Sequence, residues 1–428
     1  MNIMDNFFYI LFDKNQVTDN PIKNSDFTIE RLQICTWNLK DNSCSYIELG
    51  LEIQIQPQLN ESFKNKDLKL VFVAPFLEKI KAIYCLNNNL ISKDENAQYI
   101  FNETINKVDV KASTGTTVGS IISFVNNSDK KKLIISKNVD DITEEEKINE
   151  IQKNKYFEFT TLCNTVLKSQ FQCNDMNIYI RYLFEINENI ITSSIDGIGK
   201  RIFYYDIKLN YERNITKIAK DLIENHDYDY CKLNNAFCLH VFPNNYEISY
   251  IDSKESKVRI LEKNAFIQYL KKDNSDKLYV PIDEEQDYNI IFMKKNNDYS
   301  FYVRLSKEIM TVGQLLISVF GGIGLTFIIY IDSFFGFDYK INIKRIISLT
   351  EYEINTKSLI ANDLSSVWSF KYLWFCCVIF ILSSLSIYTI KLFLNKESET
   401  TNQLKSSIII SVFITIILFG VRYLVLLL

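Results

Sequence analysis

The segment Val312–Ile331, VGQLLISVFGGIGLTFIIYI, constrains the fold most, because it runs for twenty residues without a charged side chain. At the rise of an α-helix, a segment of this length crosses the hydrocarbon core of a bilayer. Two further apolar runs follow, at Tyr372–Ile390 and Ile408–Leu428. The sequence therefore predicts a membrane protein with a membrane region at 307–428, which contains three transmembrane helices at 312–331, 372–390 and 408–428.

The region before residue 307 has the patterns of a β-rich protein with few helices. Tyr46–Gln56 alternates apolar and polar residues, which predicts a strand with one face toward solvent. Similar segments follow, many of them at the spacing of roughly 8 to 12 residues that is typical of antiparallel sandwiches and barrels. Further strands are predicted at 27–39, 68–74, 121–125, 133–136, 177–187, 201–211, 236–242, 246–251, 257–261, 278–281, 288–293 and 299–305.

An acidic segment, Asp140–Lys153, separates two strand-rich regions. Thr143 and Glu146 have the spacing of a helix capping box, so we expect a helix here. A second helix is predicted over 156–171, a short one over 215–223, and a hairpin between the strands at 177–187 and 201–211. The predicted organisation is thus a first β-rich soluble unit at 1–137, a helical linker at 138–176 and a second β-rich unit at 177–306.

Charge and cysteine content limit the partners and the compartment. The formal net charge of −4 argues against binding of a nucleic-acid duplex, which normally requires a cationic surplus. Phe7–Phe12 is the only apolar run near the start, and no cation precedes it, so a secretory signal is not expected. The N-terminal head is therefore predicted to lie in the cytosol, anchored in the inner (cytoplasmic) membrane, with reduced and mostly buried cysteines.

Both histidines of the chain lie close to two cysteines, in HDYDYCKLNNAFCLH. His226, Cys231, Cys238 and His240 supply two imidazoles and two thiols, which is a chemically suitable set for tetrahedral zinc. Their spacing matches none of the usual zinc patterns. On a strand, Cys238 and His240 would instead point the same way as ordinary core residues do, and this second interpretation is favoured.

Other signs of catalysis or cofactor binding are weak. The Gly-, Ser- and Thr-rich segment Ser113–Ser120 lacks the lysine of a phosphate-binding loop, so it predicts a flexible turn. A nucleophile with its base, a metal-ligand quartet and a nucleotide fingerprint are all missing at recognisable spacing. The sequence predicts no catalytic residue and no bound cofactor, and it favours a protein that is not an enzyme.

The predicted membrane region contains small residues and one internal charge. Gly313, Gly321, Gly322 and Gly324 lie in the first predicted span, where small residues allow helices to pack closely in lipid. Arg422 interrupts the third predicted span and is expected to extend its side chain to the interface. The spans otherwise contain no acidic or basic side chain, which argues against an ion-coupled transporter.

These features favour a membrane-anchored sensor and effector. In this hypothesis the cytosolic head recognises a ligand or partner, the chain forms a homo-oligomer, and the assembled spans perturb or permeabilise the bilayer. The plan resembles that of bacterial antiviral effectors that kill the infected cell through its membrane, and the resemblance is one of architecture. The alternatives are a non-catalytic adaptor subunit of a larger membrane complex and a membrane-bound metal-dependent enzyme.

Overall fold

The computed structural model describes the N-terminal part of the chain with several gaps. The described residues are 6–15, 22–23, 26–39, 45–55, 68–101, 103–125, 132–137, 140–161, 165–169, 176–187, 192–196, 200–252, 256–272, 277–296 and 299–308. The predicted spans at 312–331, 372–390 and 408–428 lie outside these residues. The chain divides into two compact units, 1–196 with 202–307 and 197–201 with 308–428, and the fold below is that of the first.

Strands dominate the described residues. They are β1 (Asn6–Asp13), β2 (Phe27–Trp37), β3 (Ser45–Ile55), β4 (Lys69–Val73), β5 (Ile80–Cys85), β6 (Ile105–Lys111), β7 (Thr117–Phe124), β8 (Lys132–Ser136), β9 (Tyr156–Thr160), β10 (Met176–Ile186), β11 (Thr192–Asp196), β12 (Lys200–Leu209), β13 (Tyr228–Tyr230), β14 (Ala236–Pro243), β15 (Tyr246–Ile251), β16 (Lys257–Ile260), β17 (Tyr288–Lys295) and β18 (Ser300–Glu308).

Short helices connect these strands. They are α1 (Asn87–Ser92), α2 (Asp94–Phe101), α3 (Glu145–Asn154), α4 (Thr165–Lys168), α5 (Lys217–Asn225) and α6 (Lys263–Tyr269), with 3₁₀ turns at Pro75–Lys79 and Glu212–Asn214. None of the helices in the described ranges has the length and apolar character needed to cross a membrane.

The strands form two sheets that pack as a sandwich. The first has the order β15-β18-β12-β1-β4-β9, with β11 paired to β12 and β13 paired to β1. The second has the order β16-β17-β14-β2-β3-β10-β8-β7-β6, with β5 paired to β10. The segments 1–137 and 177–306, predicted as two β-rich units, therefore build the same two sheets together.

Three apolar clusters hold these layers together. The largest lies between the sheets and contains Phe8 and Phe72 from one sheet and Leu49 and Ile180 from the other. A second covers the opposite face of the second sheet, where helices α1, α2 and α6 pack on it. A third lies between α5 and the outer face of the first sheet. Burial of these apolar surfaces on both faces of the central strands is the main stabilising term of such a fold.

The alternation predicted for Tyr46–Gln56 is confirmed as strand β3, but the face predicted to be wet is partly covered. Ile47, Leu49 and Leu51 face the cluster between the sheets. Glu48 points the other way and is nevertheless fully buried. The reason is position, since β3 lies in the middle of the second sheet and the helical layer shields its other face.

Three local predictions need correction. The helix predicted over 156–171 begins instead with strand β9, which pairs with β4. The hairpin predicted between 177–187 and 201–211 does not form, because β10 pairs with β3 in one sheet and β12 pairs with β1 in the other. The strand predicted over 278–281 is reduced to an isolated bridge between Leu278 and Lys271. In addition, the apolar run Phe7–Phe12 forms strand β1, for which no strand was predicted, and its alternate residues are buried in two different clusters.

Candidate functional site

The four candidate metal ligands occupy different environments. His226 is the C-terminal cap of α5, and its exposed imidazole lies with Nε2 3.8 Å from Oδ2 of Asp221. Cys231, Cys238 and His240 are all buried. Within the described ranges, no group of three or more His, Cys, Asp or Glu residues could hold a metal ion. Gly313, Gly321, Gly322, Gly324 and Arg422 lie outside those ranges.

His240 is the centre of a buried polar cluster between the two sheets. Its Nδ1 lies 2.5 Å from Oγ1 of Thr36 on the neighbouring strand β2. Its ring centroid lies 3.7 Å from that of Tyr205, which belongs to β12 in the opposite sheet. Asn38 completes the cluster by donating a hydrogen bond of 2.6 Å from Nδ2 to Oη of Tyr205. The cluster therefore links the two sheets through polar contacts inside an apolar core.

The tautomer of His240 is tied to the orientation of the Thr36 hydroxyl. Oγ1 of Thr36 also lies 3.4 Å from the carbonyl oxygen of Leu239, to which its hydroxyl can donate. With the hydroxyl of Thr36 turned toward Leu239, Nδ1 of His240 carries the proton and donates to Thr36; with the hydroxyl turned toward His240, Nδ1 is the acceptor and Nε2 carries the proton. Nε2 is buried and has no hydrogen-bond partner among the described residues. Burial also lowers the pKa of His240 to about 3, so the ring is neutral at physiological pH.

Burial also keeps the two nearby thiols, Cys231 and Cys238, protonated and therefore unreactive. Burial raises the pKa of Cys238 to about 12 and raises the pKa of Cys231 well above its usual value. A thiol must lose its proton to act as a nucleophile or a metal ligand. The placement of Cys238 and His240 thus agrees with core positions, the second interpretation drawn from the sequence.

A second buried polar network lies on the helix-covered face of the second sheet. Arg181 of β10 contacts Oε2 of Glu48 on β3 through Nε at 2.7 Å and Nη2 at 2.6 Å. The guanidinium and the carboxylate side chains are 3% and 0% exposed. Burial alone would lower the pKa of Arg181, but the adjacent carboxylate of Glu48 raises it well above its usual value, so the guanidinium stays protonated.

Neutral donors and acceptors saturate this ion pair. Nε1 of Trp37 donates to Oε1 of Glu48 at 2.7 Å, and Oη of Tyr269 donates to Oε2 at 3.3 Å. On the other side, Nη1 of Arg181 donates to Oε1 of Gln33 at 3.1 Å and to Oη of Tyr179 at 3.0 Å. Because Tyr269 belongs to α6, the network attaches that helix to the sheet.

Gly50 provides the space that the network occupies. A Cβ atom at this position would lie 2.6 Å from Oη of Tyr179 and 3.1 Å from Nη1 of Arg181. Any side chain here would displace the hydroxyl or the guanidinium. The alternation in Tyr46–Gln56 gives no sign of this network, because it places Glu48 and Gly50 on the side predicted to face solvent. A buried, fully paired network of this kind is closed to substrates and stabilises one arrangement of its elements.

A surface cavity of about 510 Å³ lies beside the end of β12, lined by Leu209–Arg213 and Tyr299. Asn210 shapes its wall from the left-handed region, with φ 45°, and its side chain bonds to the backbone of Ile10 and Cys231. Oη of Tyr299 donates to the carbonyl oxygen of Leu233 at 2.6 Å. The volume is that of a small-molecule site, but these polar groups serve the fold rather than converge on the cavity.

The Gly-, Ser- and Thr-rich segment has a structural place as well. Its first half forms the turn between β6 and β7, where the N–H of Ala112 donates to the carbonyl oxygen of Thr116 and the N–H of Gly115 donates to that of Ala112. Its second half, Thr117–Ser120, is not a flexible turn but the start of strand β7. Gly115 has φ +83°, a conformation that favours glycine. The turn predicted from the sequence is thus present at 112–116.

The fold and these clusters define a β sandwich whose described ionisable core residues serve structure. No protein-family model matches the chain, and no curated protein matches it. Among solved structures, the chain is similar to the yeast delta-COP-I mu-homology domain complexed with a WxWxV peptide, at 11% identity over 67% of this chain and 77% of that one, with a TM-score of 0.15. The same yeast domain alone gives 10% identity, 68% and 77% coverage and a TM-score of 0.15. Likeness at this level carries no argument about fold or function.

Proposed function

We propose that this chain is a membrane-anchored sensor and effector. The observation that carries the proposal is the uncharged segment Val312–Ile331, which begins four residues after strand β18 ends at Glu308. A β-sandwich head joined this closely to an apolar segment fits a protein that acts at the membrane to which it is attached. The head senses a cytosolic ligand or protein partner, and the spans transmit the event to the bilayer.

The effector step depends on packing between helices of several copies. Three spans per chain are too few for a wide pore, so a homo-oligomer is required. Gly321, Gly322 and Gly324 provide a small-residue surface on which helices approach closely, because packing replaces the hydrophobic effect as the driving force in lipid. Arg422 serves as an interfacial anchor for the third span.

A second candidate function is a non-catalytic adaptor, in which the spans only anchor the head in a larger complex. The observation that favours it is the exposed edge strand β16, which can bind a protein without any signal to the membrane. The metal-dependent enzyme has less support, because it requires His226 on the surface and His240 in the core to act in one site.

Membrane potential and dye uptake in bacterial cells expressing the full chain distinguish the two proposals. We expect rapid depolarisation by the full chain, and its loss in Gly322→Leu at the same amount of membrane-inserted protein. The matched control Ile317→Leu keeps the size and apolarity of the same span and should behave as the parent chain. A chain that inserts in the membrane and never depolarises it, even with its native partners present, would favour the adaptor.

A further inference from the structure

The edge of the second sheet presents an unusual strand. β16 (Lys257–Ile260) pairs with β17 on one side, with Val258 opposite Ile291 and Arg259 opposite Ile290. It is the last strand of the described sheet on that side. All four of its residues are exposed, and Ile260, at 75%, is the most exposed large apolar side chain in the described part of the chain. Val258 on the same face of the strand is 48% exposed.

The opposite face of β16 carries two cations. The side chains of Lys257 and Arg259 make no ion pair, hydrogen bond or aromatic contact with any described residue. Lys295 and Lys263, by contrast, each form an ion pair. Nζ of Lys295 lies 3.4 Å from Oδ2 of Asp252, and Nζ of Lys263 lies 3.2 Å from Oδ1 of Asp287. The strand therefore combines a backbone edge, an apolar face and a cationic face that lacks a counter-charge within those residues.

We propose that β16 binds an extended segment of a partner protein in which acidic and apolar residues alternate. Strand addition uses the free backbone groups of an edge for affinity and alternate side chains for specificity. Acidic side chains would lie beside Lys257 and Arg259, and apolar side chains would cover Val258 and Ile260. The inference goes beyond the proposed function and holds whether or not the chain perturbs a membrane.

A second copy of the chain is a poor occupant of the same edge. Antiparallel pairing of β16 with itself would bring Lys257 and Arg259 beside their own equivalents, and like charges across a strand pair are destabilising. Charged residues on edge strands commonly prevent such self-association. The charge of β16 thus selects against its own copy and in favour of an acidic strand.

The test measures binding of fluorescent peptides to the full chain in detergent micelles by anisotropy. The probe is a peptide of about eight residues, a typical strand length, in which glutamate and valine alternate. One control peptide replaces glutamate with lysine, and another carries N-methyl groups that remove backbone donors and keep the side chains. We expect the glutamate peptide to bind at least about tenfold more tightly than either control, and more weakly as salt is raised.

Two variants locate the binding on β16. Lys257→Glu with Arg259→Glu should reverse the preference in favour of the lysine peptide. Ile260→Ser should weaken binding, whereas Val108→Ser, which removes an apolar side chain that is 64% exposed on β6 at the other edge of the sheet, should not. All these positions are exposed, so folding is retained, and circular dichroism checks this. Equal binding of the three peptides, or an unchanged preference in the double variant, would overturn the proposal.

Discussion

His240 couples the stability of the sandwich to pH through a single buried imidazole. Burial lowers its pKa from 6.5 to about 3, so the unfolded chain takes up a proton in a pH range where the folded chain does not. The neutral ring therefore makes its full contribution to the free energy of unfolding above pH 6.5, and this contribution is lost progressively as the pH falls toward 3.

We predict that the free energy of unfolding of the purified full chain decreases by about 1.4 kcal/mol per pH unit across this window through His240 alone. Urea unfolding at a series of pH values measures the slope. His240→Gln should flatten it, because glutamine does not titrate. The matched control is His226→Gln, which removes the exposed imidazole at the end of α5. Equal slopes for the parent chain and His240→Gln would contradict the assignment.

Glu48 and Arg181 form a buried ion pair, and removal of either partner alone should destabilise the fold. Glu48→Gln would leave the guanidinium buried without a counter-charge, and we predict a loss of about 3–5 kcal/mol in the free energy of unfolding. The pair Glu48→Leu with Arg181→Met removes both charges and should cost less than the sum of the single changes. Chemical denaturation of the single and double variants measures this coupling.

Glu52 on the same strand provides the comparison. Its Oε2 lies 3.5 Å from Nε of Arg31, and the side chains of Glu52 and Arg31 are 15% and 22% exposed. Glu52→Gln should therefore cost less than Glu48→Gln, because Arg31 keeps contact with solvent and glutamine keeps an oxygen that can accept from Nδ2 of Asn177. A similar cost for Glu48→Gln and Glu52→Gln would mean that burial of the Glu48–Arg181 pair has no energetic consequence.

At the scale of elements, strand β10 marks a fork in the second sheet. One side of β10 pairs with β3 along its length. On the other side, Met176–Tyr179 pairs with β8 and Tyr182–Ile186 pairs with β5. Asn87 of α1 bridges the fork, because its Oδ1 accepts from the backbone N–H of Arg181 at 2.9 Å and its Nδ2 donates to the carbonyl oxygen of Ser136 at 3.0 Å.

We predict that Asn87→Ala lowers the free energy of unfolding by about 1–3 kcal/mol, because it leaves two buried backbone groups unpaired. Amide hydrogen exchange at Arg181 should become faster, which reports local opening at the fork. Asn88→Ala is the matched control, since Oδ1 of Asn88 has no hydrogen-bond partner among the described residues. Unchanged exchange at Arg181 in Asn87→Ala would show that the fork does not depend on this side chain.

Local patterns predicted many elements of the head well. The predicted strands at 27–39, 68–74, 236–242 and 288–293 all occur, because alternation and flanking turn residues are local signals. β9 was missed, since its partner β4 is remote in sequence and pairing overrode the local pattern. β1 was missed as well, because a strand buried on both faces lacks alternation.

At the scale of the whole molecule, attachment to the membrane remains a prediction from the apolar runs. We expect the full chain to stay in the membrane pellet after extraction with alkaline carbonate and to be released by detergent, because lipid-embedded helices resist carbonate. A wash with concentrated salt serves as the control for proteins held by charge alone. Release by carbonate or by salt would contradict the three predicted spans at 312–331, 372–390 and 408–428.

The sequence by itself determined that the head is β-rich and which segments are apolar enough for a bilayer, because periodicity and hydropathy are properties of neighbouring residues. Only the tertiary structure decided which strands become neighbours. Pairing of β1 with β12 and of β2 with β14 joins residues about two hundred positions apart, and no local pattern encodes it. Pairing of β3 with β10 brought Glu48 to Arg181, and packing of the two sheets brought His240 to Tyr205, so both clusters emerge only after the sheets have assembled.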